Sequence, residues 1–203
     1  MTKTFSKIAL LGILTAFLAV VAEQMAAVSA QFFSNQEIIL PSYKNITWFL
    51  FLAVIIEEGL KYSVLRYAIW DRFGVRGKKF VMAGFFFGIF FGISEIGLIL
   101  FSSPEAKALA QNFDREMIVS LSSIVLIQTA TSLLIGSLIA TKEEMKRFSF
   151  LKILIFPVLI HLLYNFLVIE KGDYTNFLVL ATLVISYFVS FAVIAFNWRK
   201  LAR

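Results

Sequence analysis

Two adjacent glutamates, Glu57 and Glu58, sit inside the apolar run ITWFLFLAVIIEEGLKYSVLRYAIW, residues 46–70. The run has the length and character of a membrane-crossing helix. An ionisable side chain at the centre of a bilayer costs about 2.5–3.5 kcal/mol on insertion scales. Two together, followed by Lys61 and Arg66, are retained where they face protein, pair with each other, or do chemistry. Neighbouring carboxylates repel when both are ionised, an arrangement suited to exchanging protons near neutral pH. The plainer alternative is an ion pair within the helix, Glu57 with Lys61 at i, i+4.

Other residues carry complementary chemistry. Glu95 follows Phe91 by four residues, and Asn165 follows His161 by four. An imidazole can bind a metal or pass a proton. An amide one turn away can orient it or donate to a developing oxyanion. Taken singly, Glu95 could be a buried acid satisfied by Lys61 or a serine, and His161 a hydrogen-bonded bundle histidine. The chain has one histidine and no cysteine. Disulfides, thiol chemistry and a metal site of several imidazoles are thereby excluded within one chain.

The elements that must position these groups are apolar and long. The chain has 203 residues, 60% of them hydrophobic, against about 45–50% in an ordinary soluble domain. Stretches 8–30, 46–70, 80–101, 117–140, 150–169 and 175–198 each approach or exceed the ~20 residues that a helix needs to span. The expected fold is all-α: a polytopic transmembrane bundle of about six spans forming one integral-membrane domain over residues 1–203. Basic residues alternate between connectors. Lys3 and Lys7, then Arg72, Arg76, Lys78 and Lys79, then Lys142, Lys146 and Arg147, then Arg199, Lys200 and Arg203 fall on one side. The other side carries Lys44, Lys107, Arg115 and Lys171. The positive-inside rule then puts both termini in the cytoplasm. The net charge of +6 thus reads as a topology signal with membrane lipids as partners. The basic loops are short and lack an aromatic platform, which argues against nucleic acid. The start of the chain, through Val28, Ser29 and Ala30, resembles a signal peptide. Its long apolar region favours a retained first helix.

Depth links the polar groups. With a rise of about 1.5 Å per residue, Glu57, Glu95, Gln128 and His161 all fall about 18–22 Å from the basic side, and Glu23 falls near 24 Å. Gly84, Gly88 and Gly92 mark one stripe of the third helix, which Glu95 extends, so this stripe is expected to face protein. Phe86, Phe87 and Phe90 are expected to face lipid or to pack. Gln128, Ser132 and Gly136 form a similar stripe on the fourth helix. Pro157 lies one turn before His161, frees a backbone carbonyl, and is expected to bend its helix.

Glu57-Glu58-x-x-Lys61, Phe91-x-x-x-Glu95 and His161-x-x-x-Asn165, each on its own membrane helix, resemble the PrsW-type intramembrane proteases. Those belong to the superfamily of CAAX prenyl endopeptidases and bacteriocin-processing (CPBP, Abi) proteins. The resemblance covers the second to fifth helices. It implies a prokaryotic plasma-membrane enzyme of regulated proteolysis, with a membrane-anchored protein or peptide as substrate. It also implies a divalent metal, zinc first, held by Glu57, Glu95 and His161, or a water held directly by side chains. Glu57, Glu58, Glu95, His161 and Asn165 would be the catalytic set, with Glu57 as base and Lys61 and Gln128 in support. Gln128 stands where many PrsW-like sequences carry histidine, and glutamine is a poor zinc ligand. A non-catalytic scaffold or chaperone, similar to the Aph subunit of gamma-secretase, is the alternative. A small transporter ranks third, since no inverted repeat is visible.

Overall fold

The structure, a computed structural model, describes residues 2–34, 43–102, 115–141, 149–170 and 174–201. They form helices α1 (Thr2–Ser34), α2 (Tyr43–Ser63), α3 (Gly77–Ser102), α4 (Arg115–Ala140), α5 (Ser149–Ile169), α6 (Thr175–Phe196) and a short final helix α7 (Trp198–Leu201). No strand occurs among the described residues. Lys107, Lys142, Lys146, Arg147, Lys171 and Arg203 of the topology pattern lie outside them, as do the side chains of Lys3, Ala30, Lys44 and Arg115.

Five helices, α1, α3, α4, α5 and α6, are long and apolar enough to cross a membrane. This is the make-up of a multi-pass membrane protein. α2 stands apart because Glu57, Glu58 and Lys61 interrupt its apolar run. The layering of a water-soluble bundle is reversed. Phe17, Leu180, Phe188 and Phe191 lie exposed on outer faces, while Glu58, Lys61, Gln128, Ser132 and His161 are buried. Such an exterior suits hydrocarbon, where no water competes for interior polar groups.

α4 is the central post. Of its most apolar stretch 56% is buried, against 22–28% in the other four spanning helices. It packs on α2, α3, α5 and α6, while α1 closes the far side against α2 and α3. The seam between α3 and α4 is backbone against backbone. A Cβ added at Gly88 would lie 2.6 Å from Thr129 Cα and 2.7 Å from the Gln128 carbonyl oxygen. One at Gly92 would lie 2.8 Å from Val125 Cα. The small-residue stripe read from the sequence is thus the face that meets α4. Phe87 on α3 is fully buried, packed in a core with Leu65, Ile69, Phe80, Phe91 and Ile135. Phe86 and Phe90 are half-buried, with Phe5 of α1 edge-on to both rings.

α2 does not continue as one α-helix to residue 70. It passes into a π-helical segment, Val64–Arg72. At the junction Ser63 Oγ donates to the Gly59 carbonyl at 2.8 Å, as serines and threonines do elsewhere in these helices. The wider turn places Leu65 and Ile69 in the core. α5 continues as helix through Pro157.

Gly88→Ala should destabilise the protein by about 1–3 kcal/mol, because the new methyl meets backbone that has nowhere to move. Gly97, with nothing within 4 Å of an added Cβ, is the control, and Gly97→Ala should be neutral or mildly stabilising. Unfolding of both variants in detergent checks this.

Candidate active site

Lys61 organises the polar layer. The side chain is wholly buried. Its ammonium lies 2.7 Å from Glu58 Oε1 and 3.2 Å from Thr131 Oγ1, and it also donates to Gln128 Oε1. These partners use all three N–H donors of the head group. The ring of Phe91 lies beneath, its centroid 4.7 Å from Nζ. The partner on α2 is therefore Glu58 at i, i+3, not Glu57 at i, i+4. Arg66 pairs with Asp71 instead of joining the layer.

Glu58 links α2 to α5. Its Oε1 also lies 2.6 Å from His161 Nδ1. A carboxylate oxygen can only accept, so in this contact Nδ1 carries a proton. Glu57 Oε2 lies 3.8 Å from the same ring nitrogen. Gln128, reaching in from α4, donates through its amide nitrogen to Glu57 Oε2 at 2.9 Å and to Glu95 Oε2 at 2.6 Å. One glutamine thus joins α2, α3 and α4. From α1, the Glu23 carboxyl faces Glu57.

The sequence-derived residues converge, with two differences. Glu57, Glu58 and His161 bring ligand atoms within 4.8 Å of one another, a group able to hold a metal ion. Glu95, expected in that trio, meets Glu57 through the intervening Gln128, and Glu58 stands in its place. Asn165 is half-buried, and its side chain makes no hydrogen bond among the described residues. Its neighbour Tyr164 is the buried one, with its hydroxyl 2.6 Å from Ser123 Oγ. Thr131 and Tyr164 were not singled out from sequence. Thr131 had a usable signal, being three residues after Gln128 on one helical face.

Neither a family model, nor a curated protein, nor a solved structure matches this chain.

Chemically, the layer holds more acid than base. Glu23, Glu57, Glu58 and Glu95 surround one lysine and one histidine. Such an excess in a dry interior is relieved by protons or by a bound cation. Glu58 Oε2 is buried and has no hydrogen-bond partner among the described residues. Two carboxylates with one imidazole are a donor set that divalent ions accept, so these residues fit a metal. Beside the layer, α2 and α5 leave an apolar groove of ≈ 540 Å³, lined by Trp48, Phe51, Leu159, Leu163 and Phe166 among others.

Lys61→Met should destabilise by about 3–5 kcal/mol, the usual result of stranding a buried charge. Adding Glu58→Gln to that variant should recover part of the loss. A double-mutant cycle on unfolding in detergent measures the coupling.

Proposed function

We propose that this protein is an intramembrane protease, hydrolysing a peptide bond in a membrane-anchored protein or peptide. The observation that carries the reading is the meeting of Glu57, Glu58 and His161, from two helices, in one buried group, with Gln128 holding Glu57. In this reading α2 is the sixth span, both termini are cytoplasmic, and the host membrane is a prokaryotic plasma membrane. The resemblance of the three motifs to PrsW-type proteases points the same way.

Each side chain has a task that its contacts support. Glu57 is the least enclosed of the three, 8% exposed against 0% for Glu58 and 1% for His161. It serves as general base, taking a proton from a water that attacks the scissile carbonyl carbon. The C–N bond then breaks, and the same proton passes to the leaving amine. Gln128 fixes the Glu57 carboxylate from one side. Glu58, paired with Lys61, fixes the His161 ring through Nδ1. Asn165 is the exception: it makes no such contact, and the role of oxyanion donor comes to it from the motif resemblance alone. Glu57, Glu58 and His161 would hold a divalent ion. Zinc is the first candidate for a set containing imidazole, and a harder ion is compatible with its oxygen share. Such an ion supplies Lewis acidity toward water and carbonyl. The groove between α2 and α5 borders the helices that carry these groups and suits an apolar, unwound substrate segment.

One observation favours a second reading, a non-catalytic scaffold. The polar atoms of the Gln128 side chain are committed to Lys61, Glu57 and Glu95, as in a purely structural network.

The purified protein should cleave single-span test proteins, and Glu57→Ala or His161→Ala should each lower the rate by at least about 10²-fold. Cleavage unchanged in both variants sinks the protease reading, and no cleavage of any test protein by the wild type supports the scaffold. Elemental analysis should find a divalent metal near one per chain, depleted in His161→Ala.

A further inference from the structure

One end of the bundle gathers basic side chains from distant parts of the sequence. The short helix α7 folds back on the start of α3. Leu201 is buried against Val81 and Leu133, and its carbonyl oxygen would lie 2.6 Å from a Cβ added at Gly77. Gly77 adopts φ 54°, a left-handed conformation that spares the chain a side chain at this contact. The docking brings Arg199 and Lys200 to the end of the molecule where α3 presents Lys78 and Lys79. All four are exposed. Lys78 Nζ lies 3.8 Å from the centroid of the Trp198 ring. Arg76 stacks 4.2 Å over Trp70 and donates to its carbonyl. Lys7 of α1 lies 5.0 Å over Phe73. Asp71 is the one acid among the described residues at this end, and Arg66 takes it up.

Topology alone asks only that positive charges sit on this side. It does not ask that residues some 120 positions apart be docked together, nor that cations rest on aromatic rings. Aromatic rings with a polar rim belong at headgroup depth, just outside the hydrocarbon. Cations held there, with Asp71 the one acid among the described residues at this end and already paired, present a positive face to that layer. We propose that Lys78, Lys79, Arg199 and Lys200, with Arg76 and Lys7 beside them, bind the phosphate-bearing headgroups of anionic phospholipids. This site is independent of the polar layer inside the bundle.

The test uses the full chain in detergent, with phosphatidylglycerol or phosphatidylcholine added. Phosphatidylglycerol should raise the unfolding temperature and be retained in native mass spectrometry in preference to phosphatidylcholine. That preference should fall with added salt. In Lys78→Gln/Arg199→Gln/Lys200→Gln it should fall roughly fivefold per charge removed. The charge-preserving Lys78→Arg/Arg199→Lys variant should keep it. Equal retention of the two lipids by the wild type, whatever the variants do, overturns the proposal. So does undiminished preference in a folded triple variant. Inorganic phosphate alone reproducing the thermal shift would point to a soluble anion and would also overturn it.

Discussion

The constraint on which the interior depends is the burial of the Lys61 ammonium. A cation with no exposed surface, inside helices that face hydrocarbon, persists only if every donor is met and a negative charge lies beside it. Glu58, Gln128 and Thr131 meet the donors, and Glu58 supplies the charge. Those partners come from α2 and α4, so satisfying one head group ties two helices at one height. The consequence spreads outward. Glu58, held by Lys61, holds His161 and thereby α5. Gln128, held by Lys61 through its carbonyl, turns its amide nitrogen to Glu57 and Glu95 and thereby reaches α3. Each member of the network is oriented by a group that is itself oriented.

This network works only because the backbones of α3 and α4 approach closely. Association of helices in lipid gains little from the hydrophobic effect and depends on packing and polar contacts. At Gly88 the approach is so tight that a single methyl has no space against Thr129 and the Gln128 carbonyl. That contact sets where Gln128 starts, and Gln128 sets where Glu57 and Glu95 end. Close packing and polar satisfaction are here one device. The glycines fix the distance that the glutamine side chain bridges.

Much of this was legible before any coordinates. Depth along each apolar stretch put Glu23, Glu57, Glu95, Gln128 and His161 in one layer, and the structure joins them. The glycine stripe pointed Glu95 inward. What depth could not supply was azimuth. Glu57 and Glu58 are adjacent, so they project about 100° apart around α2, and nothing in the sequence says which one faces His161. The same ambiguity assigned Lys61 to Glu57 when its partner is Glu58. On α5, Tyr164 and Asn165 flank the direction of His161, three and four residues on. Only the position of Ser123 on α4 decides that Tyr164 is the one drawn inside. The π-helical segment was also invisible, because a change from α to π hydrogen bonding leaves no mark in the hydrophobic pattern.

The two sides of the site differ in how firmly they are closed. α3 and α4 meet through backbone, and separating them would break contacts at Gly84, Gly88 and Gly92 together. α2 and α5 meet differently. Besides the Glu58–His161 bond, what lies between them is large apolar side chains around a groove: Trp48, Phe51, Leu159 and Phe166. Side chains of this kind can change rotamer or give way to another apolar surface at small cost, since hydrocarbon lies outside in either case. The rigid half of the bundle is therefore the α3–α4 pair, which carries Glu95 and Gln128, whereas Glu57, Glu58 and His161 ride on α2 and α5. The seam that borders His161 is the half able to exchange its contacts for those of another membrane-embedded chain. In the protease reading proposed above, an apolar substrate segment would enter at that seam while Gln128, held on the α3–α4 pair, keeps Glu57 in place.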